Sequence, residues 1–343
     1  MREDLIHPRW DPWLVSGAGS LVLAAARLLL GVRIPAESAV LWSGIYLFSL
    51  PHFLASYVLF YSRPDLVRSH FVRAWIWPAF LAFALAVLLL VGSTGFELAV
   101  ILTYGFLLWH FCRQAFGAAM WLGRGRRKPA GHEGRVTLLT VTAIALAAFL
   151  SLAGGTQRAV FFGFGVAPLP VPRSLILATE TASTLGVVLC ALYLARAHLQ
   201  SRGAFSIRSV LPVVVLYVWL SPWFSNVGLV VLLPLFHALQ YLPFCGGEFR
   251  SVSGRKQWSS RQRTCRFLVA WMVLWGAGLC LFVGVPHLLR LGHFQQPLWE
   301  RAAVAALLFL NLHHFSLDAV LWKSRHRTAG SRAHAEPESL LAA

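Results

Sequence analysis

Apolar runs of membrane-spanning length follow one another almost from end to end of this chain, and that limits its fold more than any other feature. A helix needs roughly 17–25 residues to cross the hydrocarbon of a bilayer. Only helices and closed barrels can cross, because backbone N–H and C=O groups find no partner in lipid. Such runs fall at 13–32, 39–61, 74–92, 96–122, 136–154, 174–197, 207–221, 225–245, 266–289 and 299–323. The expected fold is an all-α, polytopic membrane helix bundle of about ten transmembrane helices. Residues 1–323 form its single domain, and 324–343, small and polar, form a disordered cytoplasmic tail.

The formal net charge of +17 would fit a nucleic-acid partner if the basic residues shared one soluble face. They do not. Arg63, Arg68 and Arg73, then Arg124, Arg126, Arg127 and Lys128, then Arg196, Arg202 and Arg208, then Arg250, Arg255 and Lys256 occupy every second connection between apolar runs, and Lys323, Arg325 and Arg327 follow the last run. Cytoplasmic loops collect Lys and Arg in this way. The pattern therefore predicts a multi-pass protein of the inner (cytoplasmic) membrane with both termini inside, and no nucleic-acid partner. On the outer side, the connections near Gly92–Gly95 and Ser221–Ser225 carry no Lys or Arg and are short enough for tight turns.

Trp10, Trp13, Trp75, Trp77, Trp121 and Trp322 are expected at the inner interface, and Trp219, Trp223 and Trp299 at the outer one. The Gly- and Pro-rich stretch 155–173 is expected as an outer loop. The polar, basic segment 246–265 offers either a solvated loop or a surface for anionic membrane lipids. Five cysteines (Cys112, Cys190, Cys245, Cys265, Cys280) without a CxxC pair are expected as reduced, small apolar residues.

Of thirteen histidines, five lie inside apolar runs: His52, His110, His237 and the adjacent His313 and His314. The runs that hold them all pass from outside to inside in the expected topology, so their depths compare directly. They lie roughly 8–12 residues from the cytoplasmic ends, about 12–18 Å deep at 1.5 Å per residue. One helical turn further on, the same helix face carries Gln114 after His110, Tyr241 after His237 and Asp318 after His314, whereas His52 is followed only by Ser56.

A carboxylate at mid-membrane costs on the order of 3 kcal/mol on insertion scales, so it is expected to line a polar site. The expected metal ligands are His52, His110, His237 and His314, with His313 pointing about 100° away on the same helix. Asp318, Tyr241 and Gln114 are the catalytic candidates that orient them. Imidazoles with one carboxylate and no thiolate cluster suit iron, copper, zinc or manganese. A redox-active iron handling an apolar substrate best explains so deep a site. Arg113, beside His110, has three readings: an ion pair with Asp318, a substrate headgroup contact, or a cofactor contact with a haem propionate. Glu180 sits about 10 Å nearer the outer side than the histidines and is expected to bond with neighbouring Thr or Ser.

The segments "PHF" at Pro51–His52, "WHF" at Trp109–His110 and "FHALQY" at 236–241 resemble the Brp/Blh-type membrane carotene oxygenases, multi-span proteins with a histidine-held non-haem iron. The chain departs from that pattern where Phe53 and Leu54 follow the first histidine and where Tyr241 replaces a second late histidine. The resemblance implies iron ligation by His52, His110 and His237, and assigns no counterpart to His314. It implies oxidative cleavage of an isoprenoid double bond. The expected function is that of a non-haem iron oxygenase or related oxidoreductase acting on a lipid-soluble substrate such as a carotenoid, another isoprenoid or a fatty acyl chain. The electron donor is left open. The other readings are a b-type haem protein and a transporter or channel that uses the polar layer as a path.

Overall fold

The protein is seen here in a computed structural model that describes residues 11–30, 39–124, 131–154, 159–161, 164–221, 233–241, 244, 260–284, 288 and 297–333. Its helices are α1 (Asp11–Ser16), α2 (Gly19–Leu30), α3 (Ala39–Tyr61), α4 (Pro64–Ser69), α5 (Trp77–Val91), α6 (Ser93–Gly123), α7 (Gly131–Ala153), α8 (Arg173–Gln200), α9 (Val210–Leu220), α10 (233–241), α11 (Ser260–Leu279) and α12 (Pro297–Ala333). Among the described residues, five segments are long and apolar enough to cross a membrane: Val72–Leu90, Thr94–Gly123, Gly131–Ala153, Arg173–Gln200 and Arg301–Leu321. Leu47–Tyr61, Ile207–Leu220 and Cys265–Leu279 are apolar but shorter.

The first expected span, 13–32, is not one helix. Gly17 adopts φ +71°, a left-handed conformation that breaks α1 from α2. A Cβ there would lie 3.1 Å from both Trp219 and Val215, so the break also lets α9 approach closely. Trp219 itself is an interior residue and not the outer anchor its position suggested. It is 3% exposed, donates its indole N–H to the Ser20 hydroxyl at 2.8 Å and stacks on Phe236. A buried indole keeps its place only where the N–H finds such an acceptor.

The expected turn between α5 and α6 is reduced to Gly92, with φ +128°. Within 155–173 lies a two-stranded antiparallel hairpin, β1 (Ala159–Phe161) and β2 (Phe164–Val166), with Val160 opposite Gly165. It is tied to the helices where the Ala167 N–H reaches a Glu97 carboxylate oxygen at 3.3 Å and the Leu169 N–H reaches the Ala153 carbonyl at 2.7 Å. At the other end of the chain, α12 continues as helix to Ala333, beyond the expected start of the tail. Cys112, Cys190, Cys265 and Cys280 are free thiols. Trp10, Trp223, Cys245 and most of the basic segment 246–265 lie outside the described residues.

α12 is the axial helix: it packs on α3, α5 and α6, and 56% of its apolar window is buried, against 17% for Val72–Leu90 and for Arg173–Gln200. The latter two are peripheral. Phe80, Phe83 and Leu90 of α5 and Leu185, Leu189 and Leu192 of α8 are exposed on them. An apolar surface of this extent is a liability in water and an ordinary boundary in lipid.

α11 packs on α3 through Gly278, where a Cβ would come within 2.6 Å of the Leu50 Cβ. Gly278→Val is expected to cost about 1–3 kcal/mol by forcing the two helices apart, seen as a lower thermal-unfolding midpoint in detergent. Gly276→Ala, where a Cβ meets nothing within 4 Å, should leave the midpoint unchanged or slightly higher.

Candidate metal centre

Four helices converge on one point, each bringing a histidine: His52 from α3, His110 from α6, His237 from α10 and His314 from α12. One ligand atom from each lies within 4.8 Å of all the others. The four side chains are buried, His110 being the most accessible at 8%. Nε2 of His52 and Nε2 of His237 stand 3.0 Å apart. The rings form a closed circuit, with centroid distances of 4.8 Å from His52 to His237, 5.0 Å on to His110, 5.5 Å on to His314 and 4.9 Å back to His52.

Local sequence positions these groups. Pro51 sits inside α3 directly before His52. It has no N–H and crowds the carbonyl four residues earlier, loosening the helix at that turn. The Ser49 hydroxyl then crosses to the Pro234 carbonyl at 3.1 Å, fixing α3 against the start of α10.

One turn beyond the imidazoles lies a second polar layer on the same four helices. Oδ1 of Asp318 accepts hydrogen bonds from the Ser56 hydroxyl at 2.5 Å and from the Tyr241 hydroxyl at 3.0 Å. Its Oδ2 faces Nε2 of His110 at 3.6 Å and Nε2 of His314 at 3.7 Å. The Gln114 amide donates to the His237 carbonyl and to Oε1 of Gln240, each at 3.0 Å, and Gln240 donates to the Val15 carbonyl at 2.8 Å. Helices that meet at one residue and meet again four residues later must run in the same direction, as the depth comparison required.

Aromatic side chains lock the circuit. Phe53 of α3 lies against His314, Phe315 of α12 stacks on His110, Phe111 of α6 lies against His237, and Tyr241 of α10 closes on His52, at centroid distances of 4.5, 4.3, 4.5 and 4.3 Å. Every imidazole is thus backed by an aromatic ring from the next helix around. Three of these rings immediately follow a histidine in sequence. The His–Phe step at 52–53, 110–111 and 314–315 is the sequence signal for these three rings, two of them within the PHF and WHF segments.

Other expected residues fall elsewhere. His313 turns away from the four-histidine group toward Tyr57 and Tyr61, at centroid distances of 5.2 and 6.4 Å. Arg113 does not meet Asp318: it is exposed, with its guanidinium over the rings of Trp109 and Phe116 at 5.8 and 5.1 Å. The cause is angular, because Arg113 lies about 100° around the helix from the inward Gln114. Glu180 is buried on α8, and its backbone carbonyl accepts the hydroxyls of Ser183 and Thr184. Ser56, which the sequence offered only as the weak member of its layer, is a direct partner of Asp318.

No family model, curated protein or solved structure matches this chain.

Gln114→Leu keeps the volume near constant but deprives the His237 carbonyl and Gln240 of a buried donor. It is expected to destabilise the protein by about 1–3 kcal/mol, measured as a shift in thermal-unfolding midpoint.

Proposed function

We propose that the protein is a membrane metalloenzyme of the inner membrane in which His52, His110, His237 and His314 hold one transition-metal ion, iron by preference, for oxidation of a lipid-soluble substrate. The observation that carries this reading is the convergence of four buried imidazoles within 4.8 Å. Donors held about 2.1 Å from one ion stand roughly 3.0 Å apart at right angles and about 4.2 Å apart when opposed. A spread of up to 4.8 Å needs about 0.6 Å of closure at its widest even where the two donors are opposed. Without an ion, the Nε2 atoms of His110 and His314 make no hydrogen bond, and orphaned polar atoms at this depth cost on the order of 1–3 kcal/mol each.

When bound, iron in such a site would supply one-electron and Lewis-acid chemistry toward oxygen. The chain's residues have separate tasks. The histidines bind; Phe53, Phe111 and Phe315 exclude water and offer an apolar wall to a hydrocarbon substrate; Tyr241, Ser56 and Gln114 hold the polar groups beneath in register. The substrate class follows from the setting: a carotenoid, another isoprenoid or a fatty acyl chain reaches a site enclosed by lipid-facing helices without leaving the membrane. The similarity of the histidine-bearing stretches to Brp/Blh-type oxygenases supports the same chemistry.

A compact ion suits the geometry better than haem. Two axial nitrogens at about 2 Å from one iron stand about 4 Å apart with the macrocycle between them. His52 and His237 approach to 3.0 Å.

Elemental analysis of detergent-purified protein is expected to give one iron or other transition-metal ion per chain, with no Soret band. Each His→Ala change should reduce occupancy, and metal retained at full stoichiometry in the fourfold variant would overturn the site. Acidification should release the ion, since protons compete for the same imidazole nitrogens. Dialysis at stepwise lower pH, followed by metal analysis, measures this.

A further inference from the structure

We infer that Asp318 is itself a ligand of the ion, giving a set of four histidines and one carboxylate; this rests on the metal-binding reading above. An orienting carboxylate accepts the N–H on the far side of a ligating imidazole. Asp318 stands elsewhere. Its Oδ2 faces Nε2 of both His110 and His314, at 3.6 and 3.7 Å, and Nε2 is also the atom through which His52 and His237 meet. These distances exceed the hydrogen-bond range, which ends near 3.2 Å. They match the roughly 3.6 Å between donors that share one ion at an angle of about 120°; Asp318 stands outside the group of four ligand atoms that lie within 4.8 Å of one another, so its carboxylate must close toward His52 and His237 when an ion binds.

The carboxylate's orientation supports the same assignment. Ser56 and Tyr241 both donate to Oδ1, which fixes the rotation of the group and leaves Oδ2 directed at the imidazoles. Charge supplies a further reason. Four neutral imidazoles around a divalent ion leave two positive charges in a medium that solvates them poorly, and a carboxylate halves that net charge. The ion in turn accounts for an aspartate at 0% exposure in the axial helix. Asp318 thus sets both coordination number and site charge.

The test uses metal-stripped full-length protein titrated with Co2+ and followed by visible absorption. Wild-type protein should give the weak bands of five- or six-coordinate Co2+. Asp318→Leu fills the same space without an oxygen. It should lose more than about 100-fold in affinity, beyond the 10–100-fold typical of groups outside the ligand set, and any Co2+ that still binds should show intense four-coordinate bands. Ser56→Ala removes one hydrogen bond to Oδ1 and should keep the wild-type band shape.

Intense four-coordinate bands in the wild type, or identical spectra for wild type and Asp318→Leu, overturn the carboxylate as a ligand while leaving the four-histidine site intact. If wild-type protein binds no Co2+, the metal-centre reading itself falls. Should Asp318→Leu fail to fold, Asp318→Asn takes its place: a loss of more than about 100-fold in Co2+ affinity supports the carboxylate as a ligand, and wild-type affinity and band shape overturn it.

Discussion

Hydrocarbon offers no partner to an imidazole or a carboxylate, so each polar side chain at depth must be satisfied by another part of the same bundle. That constraint organises the molecule from the centre outward. Asp318 on the axial helix gathers Ser56 of α3 and Tyr241 of α10, and faces His110 of α6 and its own helix's His314. Four helices are thereby fixed in rotation and in relative height, because a turn of a few tens of degrees in any of them would strand a polar group. The apolar outer faces impose no comparable restriction.

Along α12 the polar layers are enclosed by apolar packing at both ends. On one side, Val304, Ala305 and Leu308 join Phe96, Val100 and Ile101 of α6. On the other, Leu317, Val320 and Leu321 join Ala55, Leu59 and Phe60 of α3. A third cluster, around Phe111, Ala115, Val213 and Leu216, fills the space toward α7 and α9. Burial of this kind raises the strength of every electrostatic contact within, since the effective dielectric falls. His110 is the most accessible of the four imidazoles, at 8%.

Much of the site was legible in the sequence because helical geometry is nearly fixed. Equal depth and a four-residue offset were enough to group His52, His110, His237 and His314, and to set Gln114, Tyr241 and Asp318 beneath them. What was not legible depends on how helices rotate against each other. Arg113 and Gln114 are neighbours in sequence, yet one is exposed on aromatic rings and the other is buried in the polar network. Trp219 carries the same signature as an interfacial anchor, and only the nearby Ser20 hydroxyl makes it an interior residue. The break at Gly17 is supported locally by Ser16 and Ser20, whose hydroxyls bond the adjacent backbone, but the side chains it accommodates lie about two hundred residues later. The aromatic circuit was written three times as His–Phe, but each phenyl ring serves the histidine of a different helix.

The circuit passes through α3, α12, α6 and α10 in turn, and α3 and α12 are far apart in sequence. Ser56 and Asp318 are separated by 262 positions. During biosynthesis a growing polypeptide therefore holds three of the four imidazoles long before the segment with His314 and Asp318 emerges from the ribosome. The four-histidine group therefore closes only when this late helix packs against the earlier ones.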